Sequence, residues 1–329
     1  MGPSIRGMAP SVLIVGAGMA GLTAARSLAE AGMAVRLVDK GRAVGGRMAT
    51  RRIGDATFDN GAQHISVRTK AFGDDVARLV SEDTARVWFR SQSVTHPDRG
   101  IEDRYCGVGG MRRIPEALAE GLVVTTGVRI DRLTIDTVGV TAFDGDACVA
   151  TADAAVLTPP VPQTLELLRT SSLGGDNAAS SLDGLEYDAT LAVMAVLDAP
   201  ADLPDGHRAF DTGPVGWMAD NQQKGVSAVP AVTIHSSTGF AVEFLEAAPD
   251  RWMAELLAAA RPFHNGAVTK AVAHRWRFAQ PRFTLDVGAV ALDAPSPVVL
   301  AGEVFAGARV EGAYASGRVA AQLISDRIG

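Results

Sequence analysis

Apolar residues first appear as an unbroken block, Val12-Leu13-Ile14-Val15, with no polar residue alternating through it. Such a block predicts a strand covered on both faces, as in a parallel sheet. Ala24, Ala25, Leu28 and Ala29 then suit a helix over residues 22–31. A second apolar run, Val35 to Val38, predicts a strand ending at Asp39. Ile114 to Glu120 reads as a short helix with Pro115 in its first turn. The β-branched, alternating stretches Val123–Thr126, Val128–Ile135, Val138–Phe143 and Ala147–Ala150 predict an antiparallel meander, with a hairpin turn at Asp144-Gly145. Ala154 to Leu157 is another buried strand, stopped by Pro159 and Pro160. Leu191–Leu197, Val215–Met218, Val229–Ile234 and Val268–Trp276 predict a mostly antiparallel sheet. Within a helix over Pro249–Arg261, Trp252, Met253, Leu256 and Leu257 form a core stripe. A buried strand runs from Pro297, and a last helix runs from Val310 to about Ile328.

The first strand and helix are joined by Gly16-Ala17-Gly18-Met19-Ala20-Gly21, spaced G-x-G-x-x-G. Strand, glycine turn and helix are the context in which this spacing means a dinucleotide site. Gly16 permits the tight turn, Gly18 lets a pyrophosphate reach the backbone, and Gly21 lets helix and strand pack closely. The helix start then offers N–H groups to phosphate oxygens. Asp39, about 20 residues on, suits the adenosine ribose and would repel a 2′-phosphate. Gly45-Gly46-Arg47 follows. Two glycines let backbone pass close to a ligand, and the Arg47 fork can bind a phosphate.

Length and composition narrow the picture. The chain has 329 residues, a net charge of −6 and two cysteines, Cys106 and Cys148, far apart. That balance suggests no nucleic-acid or membrane-surface partner. No apolar run approaches the ~20 residues of a membrane span. Without a C-x-x-C, thiol–disulfide chemistry is not expected, and a cytoplasmic setting is the default. Met1 to Pro10 reads as a disordered lead-in rather than a secretory signal, with Met8 as an alternative start. No metal-ligand cluster stands out.

Several blocks together carry a family resemblance: Gly-Ala-Gly-Met-Ala-Gly, Asp39, Gly45-Gly46-Arg47, Asp59-Asn60-Gly61-Ala62-Gln63, Gly107-Val108-Gly109-Gly110-Met111, His274 to Pro281, and Arg309 to Tyr314. They resemble the flavin amine oxidase superfamily and, within it, the bacterial renalase-like proteins. The likeness runs nearly end to end and is faint over 70–104 and 164–261.

The resemblance implies an α/β fold (α+β overall). It has a Rossmann-type FAD-binding domain with parallel sheet and antiparallel meander over 1–65, 105–163 and 286–329. A substrate domain on a mostly antiparallel sheet with helices takes 66–104 and 164–285. It implies non-covalent FAD, held by Gly16, Gly18, Met19, Ala20, Gly21, Asp39, Lys40, Gly46, Arg47, Gly61, Ala62, Gln63, Val128, Thr158, Gly302, Glu303, Val310, Glu311, Gly312 and Ala313. The backbone at Val128 would hold the adenine. Glu303 stands where the family usually has Asp, so its contact with a hydroxyl is direct or through water. The last helix start would face the flavin and stabilise its reduced anion by at most ~2 kcal/mol, about 40 mV for a two-electron couple.

FAD fits better than NAD. Elements at Gly45, Thr158 and Gly302 add to the first glycine loop, and there is no second G-x-G-x-x-G for a nicotinamide cosubstrate. The activity implied is oxidation of dihydronicotinamide isomers, with hydride passing to flavin N5 and oxygen reduced to hydrogen peroxide. Gln63, His64, Trp217, His235 and Trp276 are candidates for the cavity wall, in positioning roles. Two alternatives stay open: an amine oxidase or desaturase on the same scaffold, and a non-catalytic flavin-binding module. The low aromatic content, 5%, argues against a full aromatic cage around an amine.

Overall fold

The computed structural model describes residues 9–92, 98, 100–171 and 181–329. The expected lead-in therefore lies almost wholly outside the described residues. In chain order come β1 (Ser11–Val15), α1 (Met19–Glu30), β2 (Ala34–Asp39), β3 (Thr50–Ile53), β4 (Ala56–Asp59), α2 (Lys70–Ser81), β5 (Ala85–Gln92), β6 (Ile101–Gly107) and α3 (Arg113–Ala119). There follow β7 (Val123–Thr126), β8 (Arg132–Ile135), β9 (Val140–Asp144), β10 (Ala147–Ala152), β11 (Ala154–Leu157), α4 (Val161–Thr170), β12 (Tyr187–Leu197), β13 (His207–Ala209) and β14 (Val215–Asp220). The chain closes with β15 (Ala231–Ser236), α5 (Thr238–Phe244), α6 (Pro249–Ala260), β16 (Val268–Pro281), β17 (Val290–Ala291), β18 (Val298–Leu300) and α7 (Val310–Ile328).

Two compact units result: residues 1–46, 115–186 and 283–329, and residues 47–114 and 187–282. The first is built on a six-stranded sheet in the order β17-β18-β11-β1-β2-β7. Only the β17–β18 pair is antiparallel. As its unbroken apolar block predicts, β1 is central, with Val12, Leu13 and Ile14 all but fully buried. One face is covered by α1, through Leu22, Ala24, Ala25 and Leu28, and by Ala320, Ala321 and Ile324 of α7. The two helices approach closely because Gly317 has no side chain; a Cβ there would lie 2.3 Å from the Ala20 carbonyl oxygen.

The meander differs from expectation. Val123–Thr126 does not belong to it: β7 pairs in parallel with β2, as the edge of the six-stranded sheet. Residues 128–131 lie outside β8, so the three-stranded meander is β8-β9-β10, turning at Gly145, whose φ is +59°. β-Branched alternation reports a half-buried strand and not its partner.

The second unit rests on an antiparallel sheet, β13-β14-β15-β12-β16. Residues of β12 alternate between two cores. Leu191, Val193 and Ala195 meet Phe240 and Phe244 of α5 and Trp252 and Leu256 of α6. Met194 points the other way, into Ile53, Ala56 and Phe58 of the β3–β4 hairpin. That packing groups residues 47–65 with the second unit, whereas the expected domain limits set them with the dinucleotide domain. Residues 66–104 contribute α2 and the β5–β6 hairpin.

Candidate active site

In the first unit the candidate nucleotide residues follow directly on the carboxyl ends of neighbouring parallel strands: Gly16 and Gly18 after β1, Asp39 and Lys40 at β2, Val128 after β7, Thr158 after β11, and Gly302 and Glu303 after β18. The order reverses beside β1, and ligands of open α/β sheets bind at such a switch point. Hydrogen bonds tie these ends together. The Asp39 carboxylate accepts from Ala17 N and Gly41 N, both at 2.6 Å. Each of its oxygens keeps a lone pair for a further donor. Val128 N donates to the Asp39 carbonyl at 3.1 Å, and Gly45 N to the Ala17 carbonyl at 2.8 Å. The Thr158 hydroxyl donates to Val15 O at 2.9 Å. Lys40 Nζ donates to Gln163 Oε1 at 2.6 Å.

The three glycines of the motif differ in what requires them. At Gly16, with φ +106°, a Cβ would lie 2.3 Å from Thr158 Oγ1; at Gly21 it would lie 2.0 Å from the Gly16 carbonyl oxygen. At Gly18 a Cβ would meet no protein atom within 4 Å. Gly18 is also the N-cap of α1, where Met19 and Ala20 begin the helix without a side-chain cap. The start of α7 likewise has no side-chain cap at Arg309. Behind it Gly312 seats so tightly that a Cβ would collide with the Gly307 carbonyl oxygen, while Ala313 N donates to Arg309 O at 3.2 Å. Val310 is half-buried, and Glu303 and Glu311 are both buried.

In the second unit the loop after β4 is the centre of a buried polar network. Asp59 is fully buried and pairs with Lys224 Nζ, also fully buried, at 2.8 Å. The other Asp59 oxygen accepts from the Thr50 hydroxyl at 2.6 Å and from Met111 N at 2.7 Å. Met111 thus fastens the glycine-rich 107–111 loop to this one. Lys224 Nζ also donates to the Gln63 carbonyl at 2.6 Å and lies 4.4 Å from the centre of the Trp88 ring. Asn221 and Thr233 complete the web, through Asp59 N to Asn221 Oδ1 and the Thr233 hydroxyl to Asp59 O. Gln63 Nε2 donates to Asp59 O at 2.6 Å and Gly61 O at 3.0 Å. Ala62 N donates to Arg47 O at 2.8 Å, and Gly61 is needed because a Cβ would lie 2.0 Å from that same oxygen. The Arg47 guanidinium reaches the carbonyls of Phe278 and Ala279, at 3.3 and 3.2 Å.

Around this loop stand aromatic rings. His64 is 5.4 Å from Phe89, edge to face, and 5.8 Å from Trp217. His207 stacks on Phe89 at 3.8 Å and on Trp217 at 5.0 Å. Trp217 faces His235 across the β14–β15 pair. His235 Nε2 and Trp276 Nε1 both address the Asn60 carbonyl, at 3.2 and 2.7 Å. Burial pulls His64 down to about 3, with Lys224, Arg104 and His207 opposing its proton further. Burial likewise brings His235 to about 4, against the bond to Asn60, which favours the proton. Both rings are neutral imidazoles at physiological pH. Four buried polar atoms in this neighbourhood have no partner among the described residues: Asn60 Oδ1, Gln63 Oε1, His64 Nδ1 and Trp217 Nε1.

Residues 14–81 match the NAD(P)-binding Rossmann-like domain, and residues 81–325, well over half of the chain, match the flavin containing amine oxidoreductases. The chain belongs to the flavin containing amine oxidoreductase family. It is a flavin-dependent oxidoreductase of mixed α/β fold. Among solved structures, this amine oxidoreductase is similar to a putative protoporphyrinogen oxidase from Exiguobacterium sp. 255-15, with 14% identity, a TM-score of 0.75, and coverage of 98% of this chain and 99% of that one. It is also similar to a putrescine oxidase solved with putrescine, with 16% identity, a TM-score of 0.67, and coverage of 97% and 100%. At such identities the likeness is one of fold.

The residues present fit a flavin dinucleotide. Uncapped starts of α1 and α7 stand at one edge of the sheet, and Gly18 leaves space that a side chain would fill. Among the described residues no group of His, Cys, Asp and Glu is placed to hold a metal ion, and no helix is long and apolar enough to cross a membrane. Lys224, the cation at the centre of the network, escapes the sequence. In Gln222-Gln223-Lys224-Gly225 it reads as a solvated turn. His207 and the partner role of Asn60 are missed as well. Only Trp88 and Phe89, a lone large apolar pair in a polar stretch, carry a signal.

Proposed function

We propose that this amine oxidoreductase is an FAD-dependent oxidase of the renalase-like type, acting on dihydronicotinamide isomers of NAD(P)H. Bound FAD would supply the two-electron acceptor, which oxygen restores while forming hydrogen peroxide. In this proposal the first unit holds the dinucleotide: backbone N–H groups at Gly18 and the start of α1 bind its phosphates, Asp39 binds its ribose, and the start of α7 faces the flavin. Non-covalent binding is supported by the assigned segments 12–47 and 298–317, which contain neither cysteine nor histidine.

The observation that carries the substrate class is the ring cluster of the second unit. His64 and His235 are neutral, and the carboxylate of the network, Asp59, is spent on Lys224, Thr50 and Met111. Neutral planar rings and unpartnered donors and acceptors suit an uncharged, flat nitrogen heterocycle with a polar substituent. They offer no counter-ion to an ammonium group. Oxidation of a dihydronicotinamide removes a hydride and leaves an aromatic ring, so it needs stacking, alignment and exclusion of water rather than a nucleophile. Gln63, His64, Trp217, His235 and Trp276 take positioning roles in this reading.

The test is anaerobic mixing of the yellow protein with partially reduced nicotinamide mixtures and, separately, with primary amines and diamines. Bleaching by the dihydronicotinamides, with peroxide released on admitting air, is expected. Bleaching by amines alone would establish the amine-oxidase alternative and refute this one.

A further inference from the structure

The large majority of buried side-chain polar atoms are hydrogen-bonded, and here two unpaired ones sit on neighbouring rings. Trp217 Nε1 and His64 Nδ1 are both buried without a hydrogen-bond partner among the described residues, on rings whose centres are 5.8 Å apart. They do not bond each other. Each ring is held by its neighbours. Trp217 lies in β14, held to β15 opposite His235, and stacks on His207. His64 follows Gln63, whose carbonyl is tied to Lys224 and whose side chain is tied to Asp59 and Gly61.

We infer that Trp217 and His64 form a two-point clamp for an uncharged planar carboxamide, the indole N–H donating to the amide oxygen and the imidazole Nδ1 accepting from the amide nitrogen. This rests on, and deepens, the dihydronicotinamide reading: it names the part of the substrate that is gripped. The chemistry of the pair selects the group. An indole N–H only donates, and a neutral imidazole with its proton on Nε2 accepts at Nδ1. A primary amide carries an acceptor and a donor side by side in one plane. A carboxylate offers acceptors alone, a ketone no donor, and an ammonium no acceptor. The clamp needs His64 without a second proton, and every charge that acts appreciably on it, from Lys224, Arg104 and His207, keeps that proton off. Phe89, edge-on to His64, closes the same cluster.

The experiment is a ligand-observed NMR titration of the flavin-loaded protein with nicotinamide, nicotinate, 3-acetylpyridine, toluene and benzylamine. Nicotinamide is expected to bind about tenfold more tightly than 3-acetylpyridine or nicotinate, the worth of one hydrogen bond. Trp217→Phe keeps the stacked ring and removes only the N–H. It should weaken nicotinamide about tenfold and leave toluene unchanged. His64→Phe should do the same. Equal affinity of wild type and Trp217→Phe for nicotinamide overturns the clamp, and so does failure of nicotinamide to bind. If Trp217→Phe does not fold, the ligand series on the wild-type protein decides alone. Flavin reduction is read separately. Amide selectivity without bleaching by dihydronicotinamides sinks the oxidase reading only; bleaching untouched by Trp217→Phe sinks the clamp only.

Discussion

Replacing Lys224 by Met tests the buried network directly. The substitution removes an ion pair of 2.8 Å between two fully buried groups and the 2.6 Å bond to the Gln63 carbonyl. Asp59 keeps its bonds from Thr50 and Met111 but loses its counter-charge. Stripping one partner from a buried pair costs about 3–5 kcal/mol, because the remaining charge stays desolvated. Asp59→Asn with Lys224→Met removes both charges at nearly constant volume. It should cost at most about 2 kcal/mol, since two uncharged neighbours leave no orphaned ion. Asp59→Asn alone strands the Lys224 charge at a similar cost of about 3–5 kcal/mol, so the coupling between the sites should be at least about 4 kcal/mol. All four tryptophans, Trp88, Trp217, Trp252 and Trp276, lie in residues 47–114 and 187–282, so tryptophan fluorescence in a denaturant titration reports this unit's unfolding selectively. A Lys224→Met protein within about 1 kcal/mol of wild type, or strictly additive single costs, would refute the account of the pair as a mutually dependent unit.

Three other outcomes follow from the geometry. Gly18→Ala should leave thermal stability unchanged, because its Cβ meets no protein atom, yet reduce retention of flavin on gel filtration; Gly21→Ala should lose both, its Cβ falling 2.0 Å from the Gly16 carbonyl oxygen. Folded His64 and His235 stay neutral down to about 3 and about 4, below the ordinary 6.5. The unfolded chain thus binds more protons below pH 6.5, and stability falls with pH, by about 2 kcal/mol per histidine at pH 5. His235→Asn should flatten the loss between pH 7 and 5 by that amount in denaturant midpoints, and an unchanged slope would exclude His235 as its source. Gly312→Ala should release flavin on purification, since its Cβ collides with the Gly307 carbonyl oxygen; a variant as yellow as wild type would remove the α7 start from the cofactor site.

What was legible in the sequence was local. The glycine spacing announces its own turn because strand, loop and helix are contiguous, and Asp39 is read from the same short stretch. The strands of the second sheet are visible because one face of each is apolar. Partner choice is another matter. Val123–Thr126 carries the same alternation whether it lies beside β8 or beside β2, and only the parallel register with Arg36–Asp39 decides it. The polar centre was hidden for a related reason. Lys224 is buried by residues more than a hundred positions away, Asp59 and Gln63 among them, so neither its neighbours in sequence nor its residue type announces burial. The histidine–tryptophan cluster likewise joins β5, β13 and β14, and single positions such as His207 look ordinary until those strands meet.

The placement of β18 and α7 has a consequence for biogenesis. Within the first unit they follow every other element in chain order, yet β18 pairs beside β11 and α7 seats Gly317 against Ala20. While the ribosome is still reading codons for the closing stretch, one flank of β11 lacks its neighbour and the small-residue groove of α1 lacks its lid. With the proposed cofactor site, capture of the dinucleotide would wait on the finished polypeptide, and a stalled nascent chain would present a bare strand margin for chaperones to shield.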